Sequence, residues 1–196
     1  MTEEQTSQAC AKRAAAVSIT IALLTVAASF ALDRWSKAWA LSNLTLHNSQ
    51  PFIDGFLKFT LTTNTGAAFS LGSNNGGFMT ATAVVLTAAL SCWLVSRIAR
   101  GQSVVILELI GLGCIIGGSL GNLTDRFTQG HVTDFLEFAF FSFPVFNVAD
   151  TFINIGLGLV LISRLGKGDG EDVKLAEESK SEQEKESTAA ATPEKS

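Results

Sequence analysis

The chain has 196 residues, of which 47% are hydrophobic and 16% charged, with a mean hydropathy of +0.32; an ordinary soluble domain is about 25% charged. That composition argues against an ordinary cytosolic globule and excludes a long disordered chain, and three cysteines in no pattern exclude a disulfide scaffold. The net charge of −4 belongs to the end of the chain: residues 1–166 hold nine Lys/Arg and nine Asp/Glu, residues 167–196 five bases and nine acids, and nothing suggests a nucleic-acid surface.

The first apolar run, Ala14 to Leu32, lies between Lys12-Arg13 and Asp33-Arg34. It is longer than a signal-peptide core and lacks a small-x-small cleavage site, so it reads as a retained helix. A polar segment, Asp33 to Gly77, follows. It opens with Trp35 and Trp39, one helical turn apart, an interfacial anchor. In it Leu57, Phe59 and Leu61 alternate with Lys58, Thr60 and Thr62, which predicts a strand. Asn64-Thr65-Gly66 and Gly72 to Gly77 are loop signals, and a small sheet on the membrane surface fits the whole. The second apolar run goes from Phe78 to about Val95 and stops at Arg97 and Arg100. The third, Val104 to about Leu120, carries one charge, Glu108. Its Gly113, Gly117 and Gly121 recur every fourth residue beside Gly118, a stripe for close helix packing. The second polar segment, Asn122 to Phe146, is rich in phenylalanine and is expected to dip into the interface. The fourth run, about Val145 to Leu165, carries Asp150 near its start. Runs of about 17–21 residues at about 1.5 Å each match a bilayer core of about 30 Å.

The fold class is therefore a mainly α membrane protein with four transmembrane helices. Residues 1–13 are a cytoplasmic N-terminus. Residues 14–166 are the membrane domain, with outer segments at about 33–77 and 122–146. Residues 167–196 are an acidic cytoplasmic tail, too poor in apolar residues to fold on a core. Arg97 and Arg100 in a very short loop place both termini inside. The outer bases, Arg34, Lys37, Lys58 and Arg126, lie in polar clusters and call for local partners.

Polar residues at a membrane edge are costly and so are functional candidates. Asn122, Asp125 and Arg126 end the third helix, Asp134 lies in the outer loop, and Asn147 and Asp150 open the fourth helix, all at one depth. Taken singly, each has a plain reading. Asn147 is an N-cap with Asp150 at the third helical position, and Asp125 and Arg126 are a surface pair. Together, Asp134 and Asp150 are two carboxylates beside greasy surface. They cannot both ionise cheaply, which supplies an acid and a base for activating water against an amide. His47 and His131 have no companions at metal-ligand spacing, and neither a metal nor a cofactor is expected.

Five runs, Asp33 to Lys37, Asn64 to Phe69, Gly117 to Arg126, Val132 to Phe135 and Phe146 to Asp150, resemble those of the bacterial lipoprotein signal peptidases, or signal peptidase II, in the same order. The resemblance covers residues 14–166. It implies a small extracytoplasmic β-cradle and a short interfacial helix beside the four membrane helices. It implies an aspartic endopeptidase of the bacterial inner membrane, with its site at the outer face. Such an enzyme removes the signal peptide of a prolipoprotein before a cysteine carrying diacylglycerol. Asp134 and Asp150 match the catalytic pair. Asn64, Gly66, Asn122, Arg126 and Asn147 match the supporting or substrate-binding set, and Asp33 and Lys37 match a structural polar pair. The partners implied are the diacylglyceryl-modified precursor, membrane lipid and inhibitors of the globomycin type. Nothing requires an oligomer, and a monomer is expected.

Two other classes compete. A proton-coupled transporter subunit would place its acids near the midplane within inverted repeats, whereas these acids cluster at one edge. A non-enzymatic assembly factor would use the glycine stripe as its interface and tolerate Asp-to-Asn changes. A metal hydrolase lacks a His/Cys set.

Overall fold

The computed structural model describes residues 3–66 and 76–165. Four helices are long and apolar enough to cross a membrane. They are α1 (Glu3–Asn43), α2 (Gly76–Ala99), α3 (Ile106–Gln129) and α4 (Val148–Leu165). Three strands, β1 (Ser49–Ile53), β2 (Leu57–Asn64) and β3 (Val132–Phe138), form an antiparallel sheet in the order β1-β2-β3. The chain divides into a compact unit, Met1–Val160, and the remainder, Leu161–Ser196. Everything described below lies in the first unit. The tail, 167–196, most of the second loop signal and the latter half of the Asn64–Phe69 run lie outside the described residues. So does any interfacial helix within 67–75; no separate short helix occurs among the described residues.

The helices outrun the apolar stretches that announce them. α1 continues through Asp33, Trp35 and Lys37 to Asn43, so the segment that opens at Asp33 begins on the last turns of α1. α3 likewise runs past Leu120 to Gln129. Gly130 then adopts a left-handed conformation (φ 78°), with its N–H on the Arg126 carbonyl, a stop that glycine permits without Cβ strain. Hydropathy ended both spans early because charged residues there pair with one another and not with water.

α3 is the central helix: 67% of its apolar stretch is buried inside the protein, against 11% in α1 and in α2. Its glycines make that possible. An added Cβ would meet Thr25 at Gly113, Ser29 at Gly117 and Asp33 at Gly121, so this stripe is the seat of α1. Gly118 faces α4 instead, with the Ala149 carbonyl against it. In lipid, where no hydrophobic effect drives helices together, such close approach supplies the packing. At the opposite end from the sheet, Leu94, Ile98, Leu109 and Leu112 are buried together with Ala22. There Arg97 of α2 reaches Glu108 of α3 (2.6 Å) and stacks over Trp93.

β2 is the strand announced by the Leu57–Phe59–Leu61 alternation, and Leu61 is its buried member. Leu61 packs with Ala40 of α1 and Phe135 of β3, which seats the sheet on the end of α1. β3 was expected as loop. Its sequence, Val-Thr-Asp-Phe-Leu-Glu-Phe, is buried over its first four residues, so it shows no alternation to read. Lys58 and Glu137 pair across β2 and β3 at 2.9 Å.

Candidate active site

The last turns of α3 hold Asn122, Asp125 and Arg126. Asn122 and Asp125, three residues apart, both meet Lys37 of α1. The Lys37 ammonium is 1% exposed and lies 2.9 Å from Asp33 Oδ2, 3.0 Å from Asp125 Oδ2 and 2.8 Å from Asn122 Oδ1. Arg34 pairs with the other oxygen of Asp125. Two cations thus meet two fully buried carboxylates, and the cluster is neutral, as burial in a membrane protein demands. Each carboxylate also binds backbone: Asp33 accepts the N–H of Ala149 (3.0 Å) and Asp125 that of Thr133 (3.1 Å). The cluster therefore fixes α1, α3, the start of α4 and β3 relative to one another. Asp125 is not half of a surface pair with Arg126. It is 0% exposed and faces α1, while Arg126 turns to a cleft.

Asn147 precedes α4 and caps it. Its Oδ1 accepts the N–H of Asp150 (2.9 Å), and Asp150 Oδ2 accepts the N–H of Asn147 (3.3 Å), a reciprocal capping box. The cap reading of the sequence holds, yet it leaves the amide nitrogen of Asn147 free for other work. That nitrogen donates to Asp134 Oδ1 (2.6 Å) and to Asn122 Oδ1 (3.1 Å). Asn122, whose oxygen already accepts from Lys37 and Asn147, is left with its Nδ2 facing Asp150 Oδ1 at 2.8 Å. A chain of amides thus joins both aspartates to the buried ion cluster.

Asp134 sits in β3 opposite Thr62 and is 1% exposed. Asn64, ending β2, donates to its Oδ2 at 2.9 Å. The Asn64 oxygen accepts the N–H of Gly66 (3.0 Å), a local turn that orients the amide. Arg126 donates to the Gly66 carbonyl at 3.5 Å. Burial, reinforced by the charge of Asp150, pushes the Asp134 carboxyl up to about 7, against the two amide hydrogen bonds that favour its ionised form.

Asp134 and Asp150 open on a cleft of about 880 Å³ that Asn64, Gly66, Asn122 and Arg126 also line. Its other wall is apolar, with Phe138, Phe143, Phe146 and Ile153. Phe138 is the hub of an aromatic cluster, with ring centroids of Phe140, Phe141, Phe143 and Phe146 at 5.1–5.6 Å. Every residue singled out from the sequence is at the cleft or directly behind it, with Asp33 and Lys37 behind. Asp125, one of the polar residues the sequence gathers at this edge, is absent from the supporting set that the resemblance implies, yet it belongs to the assembly. Its spacing of three from Asn122 put both on one helix face and was the available signal. Among the described residues no three His, Cys, Asp or Glu side chains are grouped to hold a metal ion.

A family model described as signal peptidase (SPase) II matches residues 25–165. The chain belongs to the signal peptidase II family. A lipoprotein signal peptidase of Nostoc punctiforme is 41% identical over 139 residues, 71% of this chain and 85% of that one. One from Xanthomonas axonopodis pv. citri is 43% identical over 154 residues, 75% and 87% of the two chains. Two solved bacterial membrane enzymes share the fold. The one at 2.3 Å resolution has a TM-score of 0.66 and 27% identity, covering 79% of this chain and 91% of its own. The one at 1.9 Å has a TM-score of 0.63 and 28% identity, covering 76% and 93%. The protein is thus a multi-pass membrane peptidase, and the transporter and assembly-factor readings are not favoured.

Proposed function

We propose that this peptidase cuts the signal peptide from prolipoproteins before a diacylglyceryl-modified cysteine, with Asp134 and Asp150 as its catalytic dyad. The observation that carries this reading is the bridge by Asn147, which hydrogen-bonds both carboxylates at the mouth of one cleft. At neutral pH the dyad shares one proton. Both carboxyls are buried and each accepts two N–H groups, Asp134 from Asn64 and Asn147 and Asp150 from Asn122 and Asn147. The pair holds the proton jointly, and Asp134 is taken as the acid and Asp150 as the base.

Asp150 takes a proton from water as the water oxygen bonds the scissile carbonyl carbon. Asp134 gives its proton to the carbonyl oxygen. In collapse, Asp150 passes its proton to the leaving amine, the C–N bond breaks, and Asp134 recovers its proton from the hydroxyl. Arg126 and Gly66 form the rim that positions the peptide, and Asn64, Asn122 and Asn147 hold the carboxylates. The buried ion cluster of Asp33, Lys37, Arg34 and Asp125 acts at one remove, by fixing Asn122. No metal or other cofactor takes part.

The apolar wall suits a lipidated substrate, whose acyl chains stay in the bilayer while the peptide reaches the dyad. We place the enzyme in the bacterial inner membrane as a monomer, with both termini cytoplasmic and the cleft at the outer face. Arg97 and Arg100 at the end opposite the sheet support that orientation. Globomycin-type inhibitors are expected to compete for the cleft.

The test is turnover of a diacylglyceryl-modified precursor by Asp134→Asn and Asp150→Asn proteins that remain folded. Each is expected to abolish cleavage, and the double variant to be hardly worse, because residues acting as a unit are not additive. A variant keeping more than about a tenth of the wild-type turnover, a loss below about 1.4 kcal/mol, would remove its residue from the dyad.

A further inference from the structure

One cleft-lining residue stands apart from both the dyad and its supports. Asn154 lies one helical turn along α4 from Asp150, deeper in the span, and is exposed on the cleft side of the helix. An amide is out of place in an apolar helix: its neighbours Ile153, Ile155 and Leu157 are what the bilayer asks for. Its nitrogen donates to the carbonyl of Asp150 at 2.9 Å. A carbonyl can only accept, so this bond fixes which end of the amide is which. The Oδ1 must point away from its own helix, and no donor meets it among the described residues.

We infer that Asn154 Oδ1 binds a backbone N–H of the signal peptide as it threads past the dyad. This deepens the proposed peptidase reading and rests on it. A peptide bond inside a helix cannot be attacked, so the chain must be extended where it crosses the aspartates. Extension within the membrane strips N–H groups of their helical acceptors, and each left unsatisfied there is penalised. Water answers that need at the outer edge. Deeper in the cleft an acceptor has to come from the protein, and Asn154 is placed to be one. Four residues along a helix are about 6 Å, and an extended chain covers about 3.3 Å per residue. The N–H in question is therefore about two residues from the scissile bond, on the signal-peptide side.

The experiment replaces single backbone amides of a diacylglyceryl-modified precursor by esters, which removes one N–H and leaves the side chains alone. In the wild-type enzyme an ester about two residues before the scissile bond is expected to lower kcat/KM by about five- to tenfold, the weight of one hydrogen bond. Asn154→Leu is expected to lower kcat/KM for the all-amide precursor by a similar factor, mainly through KM, with the thermal midpoint unchanged. The ester should then have no further effect on that variant. A merely structural residue would not erase the penalty of one particular substrate N–H. The inference is overturned if no ester between one and four residues from the cut is penalised in the wild type, a result that requires no folded variant. It is also overturned if the penalty survives in full in Asn154→Leu. Failure of the wild-type enzyme to cut the all-amide precursor would strike the peptidase reading itself.

Discussion

Lys37→Met tests whether the buried ions or the apolar contacts hold α1 on α3. The ammonium has three N–H groups and three acceptors within 3.0 Å, on Asp33, Asp125 and Asn122. Methionine keeps most of the stem and removes the charge. Asp33 and Asp125, both 0% exposed, are then left with Arg34 as their remaining cation, and its side chain is 32% exposed. Breaking a buried ion pair from one side costs about 3–5 kcal/mol, because the orphaned charge stays behind. The expected result is a loss of that size in detergent-solubilised protein, followed by denaturant or thermal unfolding, with reduced abundance in the membrane. Adding Asp33→Asn should restore more than half of the loss, since the amide oxygen still accepts the Ala149 N–H while the stranded charge disappears. Turnover of either variant should remain low, because Asn122 loses the donor that turns its other end toward Asp150. A loss under about 1 kcal/mol for Lys37→Met, or simple additivity in the double variant, would refute the reasoning and reduce the cluster to a surface-like pair.

The pH profile follows from the sign of the Asp134 shift. Its carboxyl is raised from 3.8 to about 7, so the proton is retained up to that pH and lost above it. Turnover should fall above pH 7, about tenfold per unit, and a flat profile from pH 6 to 9 would argue against a shared proton. Gly121→Val should prevent accumulation of folded protein, since a Cβ there lies 2.9 Å from Asp33 Cγ before any larger group is added; normal membrane levels would show that α1 can move aside. Deleting residues 170–196 should leave cleavage within about tenfold of the full chain, because the segment carries no motif and little to bury. A larger fall at normal abundance would make the tail a working part.

The four spans and the convergence of polar residues at one membrane edge were legible because both are composition signals: long apolar runs, and charges where charge is expensive. β2 was legible because Leu57, Phe59 and Leu61 alternate with polar residues along it. β3 was not, since Val132 to Phe135 are buried on both faces and look like any greasy stretch. The true ends of α1 and α3 were hidden for a related reason. Asp33, Lys37, Asn122 and Asp125 read as the end of a membrane span when taken one at a time, and only their mutual pairing lets them lie inside one. Pairing is a tertiary fact, and it is also why Asp125 looked like a surface residue next to Arg126.

That pairing bears on how this site can vary. Asn147 caps α4, bridges both aspartates and donates to Asn122. Asn122 in turn accepts from Lys37 and donates to Asp150. The groups that place the proton-carrying oxygens are therefore the same groups that join the helices, and the two roles have to be separated by the choice of substitution. Asn147→Asp, for instance, keeps the capping oxygen that Asp150 N–H needs but replaces the bridging nitrogen with a second charge facing Asp134. It should leave α4 capped and still extinguish turnover, with the Asp134 carboxyl pushed higher still by its new neighbour. Asn147→Ser would cap as well and bring no charge, but its short side chain could not span from the helix to β3. Comparing the two separates the loss of the bridge from the added charge. If Asn147→Ser turns over lipidated precursor at close to the wild-type rate, the amide bridge is not what brings the aspartates into register, and the dyad must be held by Asn64 and Asn122 alone.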